Sequence, residues 1–92
     1  MSVADGLRQR IERALSPLAL EIEDESARHH GHAGSRPEGE THFRVTVVSA
    51  AFTGLARLAR QRLVHAAVAD LLQARIHALS IKALTPVEAG LA

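Results

Sequence analysis

Ninety-two residues bound the chain to a single domain, and a domain of that size buries only about 60–65% of the surface its unfolded form exposes, which excludes a large internal active-site cavity. Eleven basic and ten acidic side chains leave a net charge of +1, so no broad field favours nucleic acid or an anionic membrane, and any such binding must come from a local patch. Cysteine is absent, which removes disulfides, thiol nucleophiles and thiolate ligands; a bound metal must take nitrogen or oxygen, or sulfur borrowed from a partner.

From the amino end, Ser2 stands as an N-cap before Val3, Leu7, Ile11, Ala14 and Leu15, whose three- and four-residue spacing is the stripe of an amphipathic helix. Pro17 ends it, because the residue before a proline is pushed out of the helical region. The period then falls to two: Leu18, Leu20 and Ile22 alternate with Ala19, Glu21 and Glu23, which predicts a first strand with one apolar face. From Ser26 to Thr41 the chain is rich in His, Gly, Arg and Pro and has no period, so it reads as a loop, and loops of that length are commonly functional or disordered. His42 to Val48 alternates again, with Phe43, Val45 and Val47 on one face, and predicts a second strand antiparallel to the first.

Beyond Gly54 a helical pattern places Leu55, Leu58, Leu63, Val64, Ala67, Val68, Leu71 and Leu72 toward the core and Arg57, Arg60, Gln61 and Asp70 on the opposing face. Periodicity leaves open whether residues 54–72 form one helix or two joined near Arg60. A third strand is expected from Ile76 to Ala83, and Thr85, Pro86, Val87 and Glu88 spell a capping box with proline at the first helical position, opening a last helix of a turn or so. The order α-β-β-α-β-α predicts an α+β domain with helices packed on one face of a three-stranded sheet. Only two aromatics, Phe43 and Phe52, are available, so the core must be largely aliphatic. No apolar run approaches the roughly 18 residues of a membrane span, and the amino end lacks the basic-then-apolar layout of a secretory signal, so the expected compartment is the cytoplasm.

Six histidines, at 29, 30, 32, 42, 65 and 77, carry most of the chemistry on offer, since imidazole is both a common metal ligand and a group that titrates near neutrality. His29, His30 and His32 crowd into the loop sequence RHHGHAG; spacing alone fixes no geometry there, and the plain reading is a solvated polar loop. His77 opens the third strand and by its period shares a side with Leu79 and Ile81; unaided, that pattern reads as a core-edge histidine satisfied by a carbonyl. His42 and His65 have no partner suggested by the sequence and read as structural or exposed. No serine sits in a G-x-S-x-G turn and no Gly-rich loop is present to cradle phosphate. The run Glu21, Glu23, Asp24 and Glu25 reads as a solvated strand end. Arg57, Arg60 and Arg62 form the best basic patch for a nucleic-acid phosphate, but there is neither aromatic interleaving nor a GXXG loop beside it.

Four stretches in order, LEIEDESARHHGHAG, ETHFRVTVVSAAFTG, RQRLVHAAVADLL and RIHALSIKALTP, resemble the BolA family over nearly the whole chain, which is read as a single BolA-like domain, 1–92. The resemblance implies a class II KH-like fold. It also implies a partner, a monothiol glutaredoxin with a CGFS active site, with which BolA-like proteins form a heterodimer bridging a 2Fe-2S cluster, glutathione serving as a further ligand. Two ligand positions carry over: His77 at the start of the last strand, and a loop histidine, for which His29 is the best match by distance from the DES motif and His32 the second, through its Gly31-His32 pair. Where the family commonly has R-H-R, this chain has Arg60-Gln61-Arg62.

The leading expectation is thus a non-enzymatic interaction protein in iron-sulfur trafficking or iron regulation, free of membranes and a monomer or weak homodimer when alone. A DNA-binding regulator acting through Arg57 to Arg62 is the runner-up, and a metal-buffering histidine loop the third.

Overall fold

The computed structural model describes residues 2–25 and 42–91; the loop histidines His29, His30 and His32 therefore lie outside the described residues. Helix α1 spans Val3–Leu15 and is capped as its sequence asks: the Ser2 hydroxyl accepts from the Asp5 amide at 3.0 Å, and the Ser2 amide donates back to the Asp5 carboxylate at 3.3 Å. Hydrogen bonding of the Asp5 carboxylate to the Ser2 side chain, and secondly to the Ser2 amide, holds that carboxyl below its usual range. The helix stops at Ser16, whose φ of 45° is left-handed and incompatible with continuation, and Pro17 follows.

Strand β1 (Ala19–Asp24) pairs antiparallel with β2 (His42–Val48), and β2 pairs parallel with β3 (Ala78–Leu84), giving the sheet order β1-β2-β3. A short 3-10 turn, Ala50–Phe52, leaves β2, and Gly54, with φ of +80°, supplies the left-handed residue that turns the chain toward the helical segment. That segment is two helices, α2 (Arg57–Ala67) and α3 (Ala69–Ala74), so the alternative left open by periodicity resolves as a break, placed at Val68 rather than near Arg60. The predicted order of elements and the α+β class hold, with the capping box closing a hydrogen-bonded turn: the Glu88 amide donates to the Thr85 hydroxyl at 3.1 Å, and the Thr85 amide to the Glu88 carboxylate at 2.9 Å.

Strand alternation sends Phe43, Val45 and Val47 into the core, where they meet Val3, Leu7, Ile11 and Leu15 of α1, Phe52, and Val64 and Val68. Glu21, Glu23, Arg44, Ser80 and Lys82 point the other way and are exposed. Leu18 is not part of the apolar face expected of β1: it precedes the strand, donates to the Val48 carbonyl at 2.8 Å, and is exposed, while Leu20 and Ile22 pack against the core as anticipated.

The phase of α2 also differs from expectation. Leu58 and Leu63 are 60% and 39% exposed, and the inward residue is Val64. Arg60 and Gln61, four and three residues before Val64, share its face and lie along β3: Gln61 Nε2 donates to the Ile81 carbonyl at 3.0 Å, and Arg60 Nη1 to the Ala83 carbonyl at 3.2 Å. A count of apolar residues does not anticipate this, because here the polar ends of long side chains satisfy strand carbonyls while their stems cover apolar surface.

Two ion pairs tie the helices to their surroundings. Arg10 joins α1 to α3 through Asp70, with Nη2 to Oδ2 at 2.7 Å, and the Arg10 guanidinium holds the Asp70 carboxyl below its usual range. Arg60 joins α2 to the closing turn through both Glu88 oxygens, at 2.6 and 3.1 Å, and with the Thr85 amide brings the Glu88 carboxyl down to about 2. Among the described residues no helix is long and apolar enough to cross a membrane.

Candidate metal centre

Because β2 and β3 run parallel, both begin at the same end of the sheet. His42 is the first residue of β2 and pairs in register with Ala78, the first of β3; His77 sits immediately before it, in a bend rather than within the strand as expected. The rings of His42 and His77 consequently face one another with centroids 5.2 Å apart and planes inclined at 53°. By alternation His42 falls on the open side of the sheet with Arg44, yet it is only 7% exposed, whereas His77 is exposed.

The carboxyl end of β1, being antiparallel, arrives at this same edge. The Glu25 amide donates to the His42 carbonyl at 2.7 Å, so the two residues flanking the segment 26–41 are bonded to each other here. Glu25 also meets Arg44, Oε2 to Nη2 at 3.4 Å, with a side chain only 10% exposed, so the acidic run of β1 does not end as a uniformly solvated face. Glu21, Glu23 and Asp24 are exposed, as anticipated. Among the described residues no group of three or more His, Cys, Asp or Glu side chains gathers to hold a metal, so a complete shell around His77 needs donors from elsewhere.

The residues singled out for phosphate binding part company in the structure. Arg57 and Arg62 are exposed on α2. Arg60 is engaged internally by Glu88, by the Ala83 carbonyl and by the Leu55 carbonyl, which accepts from Nε at 2.8 Å. Beside it a groove of about 780 Å³ runs between α2 and β3, lined by Leu55, Arg57, Gln61, Ile81 and Lys82, away from the histidine end. His65 is exposed on α2, as expected of it. His42 is the neighbour of His77 that the sequence passed over; the usable signal was the strand-helix-strand order itself, because a crossover connection makes β2 and β3 parallel and brings their first residues together.

These features define a small α+β domain that presents imidazole side chains at one end of a mixed sheet, in a chain without cysteine. The chain belongs to the BolA family, whose "BolA-like protein" pattern matches residues 11–88. It is similar to human BolA-like protein 1, with 51% identity over 86 residues that cover 94% of this chain and 60% of that protein. It is 36% identical over 85 residues to the DNA-binding transcriptional regulator BolA of Escherichia coli, covering 92% of this chain and 77% of that one. Among solved structures, the BolA domain of SufE1 from Arabidopsis thaliana superposes with a TM-score of 0.85 at 42% identity, covering 96% of both chains. The chain thus spans about three-fifths of the length of the BolA-like protein 1 relatives that it matches.

Proposed function

We propose that the protein forms a heterodimer with a CGFS monothiol glutaredoxin and co-ligates a 2Fe-2S cluster, with His77 as the fixed ligand and a loop histidine, His29 ahead of His32, as the second. The reading makes the protein a carrier or regulator in iron-sulfur metabolism rather than a catalyst, acting in the cytoplasm. The observation that carries it is the exposed His77 ring at the shared start of two parallel strands, in a chain that has no cysteine thiolate of its own. The donor set fits: imidazoles supply nitrogen, while the glutaredoxin thiolate and glutathione supply sulfur, and replacing thiolate by imidazole raises a cluster's reduction potential. The hydrogen bond between Glu25 and His42 keeps the two residues that flank the segment 26–41 at the His77 end. Mixing the protein with a monothiol glutaredoxin, glutathione, iron and sulfide should give a heterodimer whose visible spectrum differs from that of the glutaredoxin homodimer. An unchanged spectrum with His77→Ala would overturn the ligand assignment.

A second reading, DNA binding by the α2 surface, draws on the name of the Escherichia coli relative and on the exposed Arg57 and Arg62. It predicts that affinity for a duplex falls steeply with salt and that Arg57→Ala and Arg62→Ala each flatten that slope. Arg60, being held by Glu88, contributes through the shape of the α2 surface.

A further inference from the structure

Neither reading of function needs the groove between α2 and β3. β3 is an edge strand, and an open edge presents amides and carbonyls to which another strand can add. Here the edge is already covered: Gln61 Nε2 and Arg60 Nη1 donate to the outward carbonyls of Ile81 and Ala83 at 3.0 and 3.2 Å. Strand addition by a second copy or by another chain is therefore blocked at those acceptors. What remains is a cleft of about 780 Å³ whose apolar lining comes from Leu55, Ile81, Ala83 and Leu84. That volume lies within the range of about 300–1,000 Å³ of ordinary ligand sites. From Ile81 to Leu84 the cleft follows β3 for roughly 10 Å, three extended steps of about 3.3 Å, so it suits a short segment and not a protein face.

Charge selects the segment. Of the three cations in the lining, Arg60 is neutralised by Glu88, with Nη1 to Oε1 at 2.6 Å. Arg57 on the α2 rim and Lys82 on the β3 rim are exposed, and among the described residues no ion pair holds either. The first turn of α2, at the same rim, carries no acidic residue and no capping side chain, which adds to the positive field. We propose that the groove docks an extended peptide segment in which acidic residues alternate with apolar ones. Extended backbone sends successive side chains to opposite sides, so the apolar set rests on Leu55, Ile81 and Leu84 while the carboxylates reach the two rims. A nucleic-acid strand fits less well. Phe43 and Phe52, the only aromatics, are buried and give bases nothing to stack on, and Glu88 places a carboxylate in the lining. Peptide docking is independent of cluster binding, because the groove lies away from the histidine end, and it differs from duplex binding in needing Lys82 and not Arg62.

The probe is a fluorescein-labelled synthetic peptide of alternating glutamate and leucine, followed by anisotropy on the intact chain. It should bind, and Arg57→Glu and Lys82→Glu should each weaken it about fivefold or more, since each reversal replaces an attraction at the rim by a repulsion. Arg62→Glu, on α2 but outside the groove, should leave the affinity nearly unchanged. The double variant, Arg57→Glu with Lys82→Glu, should recover binding when the peptide carries lysine in place of glutamate. No binding by the parent, or equal affinity for the parent and both single variants, overturns the assignment. Methyl NMR on the unaltered protein locates the peptide without any substitution: shifts at Leu55, Ile81 and Leu84 support the groove, and shifts that leave these three unmoved overturn it. A single-stranded oligonucleotide that binds more tightly than the peptide and is weakened by Lys82→Glu would assign the groove to nucleic acid. Sedimentation showing a dimer that Lys82→Glu dissociates would assign it to a second copy, and either result overturns peptide docking.

Discussion

The two ends of β3 solve opposite problems. At its carboxyl end nearly every polar group is answered from within the chain: Arg60 bonds Glu88 and the Ala83 carbonyl, Glu88 and Thr85 cap each other, and the Ser49 amide reaches the Leu84 carbonyl at 3.0 Å. At its amino end an exposed imidazole stands before the strand, its ring resting on that of His42. A closed end contributes to folding and has few polar atoms left to offer a ligand. An open end contributes little to folding and keeps donor atoms available, which is the usual division between the parts of a small domain that hold it together and the part that meets something else.

The sharpest way to break this contrast is at the open end. His77→Ala should abolish the heterodimer's distinctive visible spectrum outright while changing thermal stability by no more than about 0.5 kcal/mol, because the ring is a surface group; a large loss of stability on calorimetry would mean that the open end is structural after all. At the closed end the order reverses. Phe52 is fully buried beneath the turn that leaves β2, and Phe52→Ala should cost about 3–5 kcal/mol in denaturant unfolding. If the refolded variant still assembles the cluster, the two ends are separable.

Ser49 comes next. Its buried hydroxyl donates to the Leu15 carbonyl at 2.6 Å and accepts from the Ala51 amide at 3.1 Å, so it joins the end of α1 to the end of β2. Ser49→Ala strands a buried carbonyl and should cost about 1–3 kcal/mol, read as a lowered denaturant midpoint.

The smallest effect is a pH dependence at Glu88. Its carboxyl titrates at about 2 in the folded chain against an ordinary 4.5, so the folded state favours the ionised form. The stability this supplies is fully present above 4.5 and is lost as pH falls toward about 2. Glu88→Gln should therefore be less stable than the parent near neutrality, and the difference should shrink through that acid window. A difference that stays constant with pH would assign the effect to the capping bond instead of to the charge.

Much of the fold was legible locally. The N-cap at Ser2, the capping box at Thr85, the stop at Pro17 and the alternation of Phe43, Val45 and Val47 each depend on neighbours a few residues away, and each appears in the structure where it was read. The phase of α2 was not legible, because Arg60 and Gln61 face inward for the sake of carbonyls about 20 residues farther along the chain. His42 was missed for a related reason: its neighbour, His77, is distant in sequence and becomes adjacent only through the crossover.

By itself, then, the sequence determined the element order, an aliphatic core with two aromatics, the lack of any thiolate ligand and the family likeness, since these follow from composition, short-range periodicity and local motifs. Only the tertiary structure decided which arginine is engaged internally, which face of α2 meets the sheet and which two imidazoles stand together. Those outcomes depend on strand register and on a parallel pairing across a helical connection, and no repeat of two or 3.6 residues encodes how far apart in space two distant positions will lie.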